Sequence, residues 1–455
     1  MLLHSLRRTR IVFTTTLSIL LLGVLSLVPH PYSAQAQVES ILTAEHDPTV
    51  AVEWMATLYD LIRSETINPP NAARMYAYAG VTIYEAVVPG MPANYSMSGG
   101  RSGLPLLPYP ETSLEYDWPS VANGALATVI YGLFDVPSSK VEGAVLTKRD
   151  ELEALRLETV DADVIERSMT LGDEMGALIL EWVAADGYAD SRGLAYSLPV
   201  GEDYYYISTT EGIAPMEPYW DRVRPFGMSY AEVCAVALNA PFDTTPDSSF
   251  YLQALEVMTT GDQLNDTQRE IAQFWVDTPG ITGTPAGHWL MIENQLVEQL
   301  DLPLSRAAEM YALVGMAMGD AFISAWSLKY QAMLLRPETY IQRYIRRNWA
   351  PFIQSPPFPE YPSGHSVVSG AASEVLTTMF GGVAFTDRTP ILAGHGQVQR
   401  SFTTFEAAAY EAAISRMYGG IHFRAAIENG VRQGECVGRQ ILNNVLLRPI
   451  PQGAG

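Results

Sequence analysis

The sequence predicts an all-α protein, a large helical-bundle domain with a long irregular segment laid over it. Three observations carry this. Apolar residues recur at spacings of three and four through most of the chain, while alternating strand runs are few. The 455 residues are 48% hydrophobic, enough for a substantial core. The helical pattern breaks only once at length, between about Gly187 and Phe250, and no internal repeat or low-complexity tract interrupts it.

The elements follow in order. "MLLHSLRRTR" is basic, "IVFTTTLSILLLGVLSLV" is apolar, and Ala34 and Ala36 form a small-residue cleavage pattern. Residues 1–36 therefore read as a secretory signal, cut after Ala36, with an uncleaved anchor as the alternative. The Arg7-Arg8 pair also allows twin-arginine export. Both readings place residues 37–455, a single domain, outside the cytoplasm, in the periplasm or beyond the cell.

"NPPNAARMYAYAGVTIYEAVV" opens on prolines and continues with Ala72, Met75, Ala79, Ile83 and Ala86 on one helical face. "VANGALATVIYGLF", "ERSMTLGDEMGALILEWVAADG", "TQREIAQFWVD" and "SRAAEMYALVGMAMGDAFISAWSLKYQAMLLRP" share that pattern. "GHSVVSGAASEVLTTMFGG" and "FEAAAYEAAISRMYGG" do too, each closed by glycine. The irregular stretch is rich in proline, tyrosine and acids, with room for a short strand pair, and such segments usually form functional rims or caps. The apolar run "MYALVGMAMGDAFISAW" carries Asp320 at its middle and reads as a buried core helix, so no membrane span is expected in the mature chain.

The formal charge is −22, from 28 basic and 50 acidic residues. Loss of Arg7, Arg8 and Arg10 with the leader leaves 25 basic residues and a charge of −25. A field of that sign disfavours nucleic acid and anionic membrane surfaces as partners. An anionic ligand would need a local cationic pocket. Cys234 and Cys436 allow at most one disulfide, and spacing leaves open whether they pair.

Three segments concentrate the chemistry. In "KYQAMLLRP", Lys329 and Arg336 are seven apart, nearly two turns, so on a helix both point to one face before Pro337 ends the pattern; following a helix apolar all round, they call for a shared anion. In "PPFPEYPSGHSVVSG", Pro362 stiffens the approach and Ser363 is an N-cap. Gly364 admits close backbone approach, so the first turn presents free N–H groups. By itself this is an ordinary capped helix start. In "SRMYGGIHFRAA", Arg416 and His422 flank Gly419-Gly420, which can turn both toward one point. Together they offer three cations, a hydroxyl, a backbone donor and two histidines for one phosphate-like group.

Lys-x6-Arg-Pro, Pro-Ser-Gly-His and Ser-Arg-x5-His in this order resemble the signature of the type 2 phosphatidic acid phosphatase and vanadium-dependent haloperoxidase superfamily. "NPPNAARMYAYAG" and the Gly287–Trp289 "GHW" look like its secreted bacterial haloperoxidase branch. The resemblance implies a vanadate cofactor whose equatorial oxygens are held by Lys329, Arg336, Ser363, Gly364 and Arg416. His422 would bind the vanadium and His365 would be the acid-base group, with the catalytic motifs falling in 326–426. It implies oxidation of halide by hydrogen peroxide to hypohalite, which halogenates a small organic acceptor; a homo-oligomer is allowed. The same pocket in a soluble secreted acid phosphatase would use His422 as nucleophile, through a phosphohistidine, and His365 as proton donor. An inactive oxyanion-binding protein is a third reading, against which His365 argues.

Chloroperoxidases of the family have a tryptophan three residues before the lysine and a phenylalanine seven before the motif histidine; Trp326 and Phe358 stand there. They would desolvate a halide, with His288 as a further rim residue of that halide pocket. One departure concerns His422. Many members carry aspartate four residues beyond that histidine, where this chain has Ala426. A backbone carbonyl or Glu428 is then the expected partner for the second ring nitrogen, and the phosphatase reading is weakened. Asp277 and Asp320 are candidate partners of the motif arginines, and His395 reads as a loop residue. Halide preference and organic substrate are not legible at this level.

Overall fold

A computed structural model describes residues 40–449 apart from 101, 210, 211 and 239. The predicted leader lies outside the described residues. The described residues are mostly helical, with long irregular connections between α2 and α3 and between α6 and α7. Its helices are α1 (Thr49–Ser64), α2 (Pro69–Val87), α3 (Trp118–Leu133), α4 (Ser139–Leu157), α5 (Ala162–Ala184), α6 (Tyr188–Ser191), α7 (Ser249–Asp262) and α8 (Asp266–Phe274). They continue as α9 (Thr284–Gln299), α10 (Leu304–Ala332), α11 (Pro337–Tyr344), α12 (Gly364–Phe380), α13 (Thr389–Leu392), α14 (Phe405–Tyr418) and α15 (Arg424–Asn444).

A strand pair is present, but not in the irregular segment. β1 (Phe385–Asp387) and β2 (Arg400–Phe402) pair antiparallel with Phe385 opposite Phe402. Within 187–250 the described backbone makes one isolated bridge, Tyr205 to Leu334.

The long apolar helix α10 is the axis. It packs on α2, α12 and α15. By length and composition it alone among the described helices could cross a membrane, yet 89% of its apolar window is buried in the bundle. Asp320 near its middle does not pair with an arginine. Its carboxylate accepts the backbone N–H groups of Phe226, Gly227 and Met228 at 2.7–2.9 Å, tying the irregular segment to the core. A buried carboxylate is tolerable there because three donors solvate it.

The site-bearing helix α12 is seated against α15 by glycines. A Cβ at Gly434 would strike the Val367 carbonyl, and one at Gly370 the Val431 carbonyl. Gly430 and Gly438, four residues either side of Gly434, also face α12. Gly434→Ala is therefore expected to force the helices apart and cost ~1–3 kcal/mol, read as a lower urea midpoint at unchanged slope.

Cys234 and Cys436 form a disulfide with Cα atoms 5.6 Å apart, joining the irregular segment to α15 across 202 residues.

Candidate active site

The three motif segments converge. α10 ends where Met333 takes a left-handed conformation (φ 48°), so Lys329 sits in its last turn. Arg336 does not continue that helix: it is the extended residue before Pro337, which opens α11. The two cations therefore meet through a sharp turn rather than along one helical face. Ser363 caps α12 by accepting the Ser366 N–H, and its own N–H donates to the Ala426 carbonyl at 3.1 Å. Gly420, at φ 79°, turns the chain between Arg416 and His422.

The Lys329 ammonium donates to the carbonyls of Pro359 and Glu360 at 3.1 Å and to that of Pro362. Arg336 donates to the carbonyls of Phe358 and Ile421 at 3.0 Å, and its Nη1 lies 3.1 Å from His422 Nε2. These bonds fix the Phe358–Pro362 loop, while Arg336 Nη2 is buried with no partner. Arg416 donates to Ser415 Oγ and the Ala272 carbonyl. Burial drives both guanidinium pKa values down to about 10, with Glu360 opposing this at Arg336 and Asp277 at Arg416. Burial and then the Arg336 charge push Lys329 well below its ordinary value, against the pull of Glu360.

His422 has its partner in the motif loop itself. Its Nδ1 lies 2.9 Å from Glu360 Oε1, which also accepts the Phe423 N–H at 2.9 Å. Neither a backbone carbonyl nor Glu428 does this; Glu428 pairs with Arg424 at the surface. Burial raises the Glu360 pKa to about 7, against Arg336 and Lys329. Burial, with Arg336 and Lys329 adding to it, holds the imidazole well below its usual range. With Nδ1–H donated to Glu360, the Nε2 lone pair accepts from Arg336 Nη1 and can bind an electrophilic centre once that contact is released. The carboxylate behind His422 also removes the objection that Ala426 raised against a nucleophilic histidine.

His365 is the more open of the two histidines, with 17% of its side chain exposed, and its Nε2 has no hydrogen-bond partner. Burial, followed by the charges of Arg416 and His288, lowers its pKa well below the ordinary value.

A cavity of about 330 Å³ opens onto Gly364, His365, Arg416 and His422. Lys329, Arg336 and Ser363 lie beneath that floor, fully buried. The walls are mostly apolar, including Phe322, Trp326, Phe358 and the prolines 356 and 357. Trp326 and Phe358 pack at 4.9 Å between ring centres, and the Arg336 guanidinium sits 4.8 Å from the Phe358 ring. Ile213 and Met216 bring the irregular segment over the cavity. Met216 is pinned there, its carbonyl accepting from Trp326 and Tyr330 and its N–H donating to Pro357.

His288 is not at the rim. It is buried behind Asp277, with Nδ1 3.0 Å from Asp277 Oδ1 and Nε2 2.8 Å from Asp387 Oδ2. Burial disfavours its charge, but the two carboxylates outweigh this and raise its pKa to about 10. A proton held more tightly folded than unfolded stabilises the fold fully below the unfolded value of about 6.5. That contribution is lost as pH rises through about 10. The stability gap between wild type and His288→Gln, from urea unfolding, is therefore expected to shrink between about pH 7 and about pH 10.

The residues present fit an oxyanion. Lys329, Arg336, Arg416 and His288, all buried, face only three buried carboxylates, Glu360, Asp277 and Asp387. An anion would offset the surplus charge and reach the unpaired His365 Nε2.

Residues 309–447 match the family model described as the VCPO second helical-bundle domain. Among solved structures, the chain is similar to the first bacterial vanadium-dependent iodoperoxidase, with a TM-score of 0.82 and 33% identity over 89% of this chain and 97% of that one. It also resembles bacterial vanadium-dependent chloroperoxidase in apo and holo forms, with TM-scores of 0.62 and 0.61 at 15% identity. Those matches cover 82% and 84% of this chain, and 92% and 93% of the others, and concern the fold alone. No curated protein sequence matches. The chain belongs to the vanadium-dependent haloperoxidase family.

Proposed function

We propose that the protein is a haloperoxidase that uses vanadate to oxidise halide with hydrogen peroxide, releasing hypohalite to a small organic acceptor. The observation that carries this is the His422 imidazole, backed by Glu360 and presenting Nε2 to a cage of three buried cations below an apolar cavity.

His422 would hold the vanadium, and Arg336, Arg416, Lys329, Ser363 and the Gly364 N–H would hold the vanadate oxygens. Bound there, vanadate supplies Lewis acidity that activates peroxide without a change in oxidation state. Glu360 keeps the proton on His422 Nδ1. His365, a cavity-lining residue whose Nε2 has no hydrogen-bond partner, takes and returns the protons of peroxide and water. Trp326 and Phe358 exclude water beside the cage, which strengthens every charge interaction inside it.

Export to the periplasm or cell exterior is supported by the signal-like leader and by the disulfide, a bond that persists in oxidising compartments.

The test is to load apoprotein with orthovanadate and follow halogenation of a phenol indicator with peroxide and chloride, bromide or iodide. Turnover with at least one halide is expected. No turnover, alongside brisk hydrolysis of p-nitrophenyl phosphate by the vanadate-free protein, would replace this reading with the phosphatase one.

A further inference from the structure

The segment Trp275–Asp277 lies between His365 and a buried pair that the proposed chemistry does not use. On one side it borders His365. The Trp275 backbone hydrogen-bonds the ring, and Asp277 Oδ2 lies 3.7 Å from Nε2, too far for a hydrogen bond but close enough to attract its proton. On the other side it is held by His288. The Trp275 indole stacks on the His288 ring at 4.3 Å and 20°, and both Asp277 oxygens lie within 3.2 Å of His288 Nδ1.

The segment needs holding, since Asp277 has a φ of 43°, a left-handed conformation that a non-glycine residue adopts at a cost of order 1 kcal/mol. His288 is fixed in turn from behind. Its Nε2 meets Asp387 Oδ2 at 2.8 Å, and Asp387 Oδ1 is anchored by the Thr389 N–H at 2.8 Å. Asp387 ends β1, whose pairing with β2 sets its position. No atom of His288 or Asp387 reaches the cavity.

We propose that His288 and Asp387 are positioning residues, which act through Asp277 and Trp275 to set the orientation of the His365 ring over the cage. A histidine clamped between two carboxylates has no rotational freedom and fixes the position of both, as an outer-shell partner does for a metal-binding imidazole.

This rests on the haloperoxidase reading only for its kinetic arm. Asp387→Asn keeps the acceptor for Thr389 and weakens the hold on His288. In the vanadate-loaded enzyme it is expected to lower kcat ~10-fold while leaving vanadate affinity within about twofold. In a His365→Ala background the same substitution should change kcat by less than about twofold. His288→Gln, which can still bridge both carboxylates, should recover part of the loss seen in His288→Ala.

The second arm needs no turnover. In protein labelled with 15N-histidine, Asp387→Asn should move the His365 ring resonances and leave those of His422 in place. An equal loss of kcat in both backgrounds, or a His365 resonance that does not move, overturns the proposal. Absence of halide oxidation in the wild type would overturn the functional reading instead, and the resonances would still decide this one.

Discussion

Substitution of His422 by alanine is expected to lower orthovanadate affinity by more than ~100-fold and to abolish peroxide-dependent halide oxidation. Loss of an outer-shell partner alone costs ~10–100-fold in metal affinity, and His422 is the cage imidazole whose Nδ1 is backed by a carboxylate, which leaves Nε2 as the ligand nitrogen. The fold should survive. The α15 helix, which begins two residues on, is held by its glycine contacts to α12, and the space left is continuous with the cavity. Calorimetric titration with orthovanadate measures the first effect and an unchanged near-ultraviolet circular dichroism spectrum checks the second. Retained halogenation would mean the metal sits elsewhere.

The next largest effect belongs to Glu360. Glu360→Gln keeps an acceptor for His422 Nδ1 and for the Phe423 N–H but removes the charge that raises the basicity of the ring; ~10-fold weaker vanadate binding is expected. Glu360→Ala leaves both donors unpaired and the Arg336 and Lys329 charges less balanced. It should cost ~100-fold in affinity and several kcal/mol of stability. Protonation of Glu360 mimics the Gln variant. Its pKa is pushed up to about 7 by burial, against the Arg336 and Lys329 charges. Vanadate affinity of the wild type should therefore fall as pH drops through about 7, and the Gln variant should lose that dependence.

The fold class was legible because helices such as α2, α10 and α14 carry their apolar periodicity openly. α15 was not read as a helix at all. Its face toward α12 is built from Gly430, Gly434 and Gly438, which read as breakers in a sequence, although Ala426, Ile427, Val437 and Ile441 do form a buried apolar side. β1 and β2 are three residues each, too short to show alternation.

At the site, Lys329, Arg336, Ser363, His365, Arg416 and His422 were legible through three motifs taken together and the family they resemble, and folding brings them around one cage. Glu360 stands two residues before Pro362, but nothing local marks it as the His422 partner: the family's position four residues beyond His422 holds Ala426, and a contact across 62 residues leaves no local pattern. His288 was drawn to the rim by its neighbours in sequence. Its two carboxylate partners lie 11 and 99 residues away, and only the tertiary structure shows that they hold it behind the wall.

The central claim is that Glu360 presents His422 Nε2 to a vanadate held by the buried cations. The most direct measurement is anomalous diffraction at the vanadium edge from crystals of the orthovanadate-loaded protein. The predicted result is one vanadium peak bonded to His422 Nε2, with Arg336 released from that nitrogen and Nδ1 still paired to Glu360. A vanadium peak away from His422, or none with the Arg336–His422 contact intact, would contradict it.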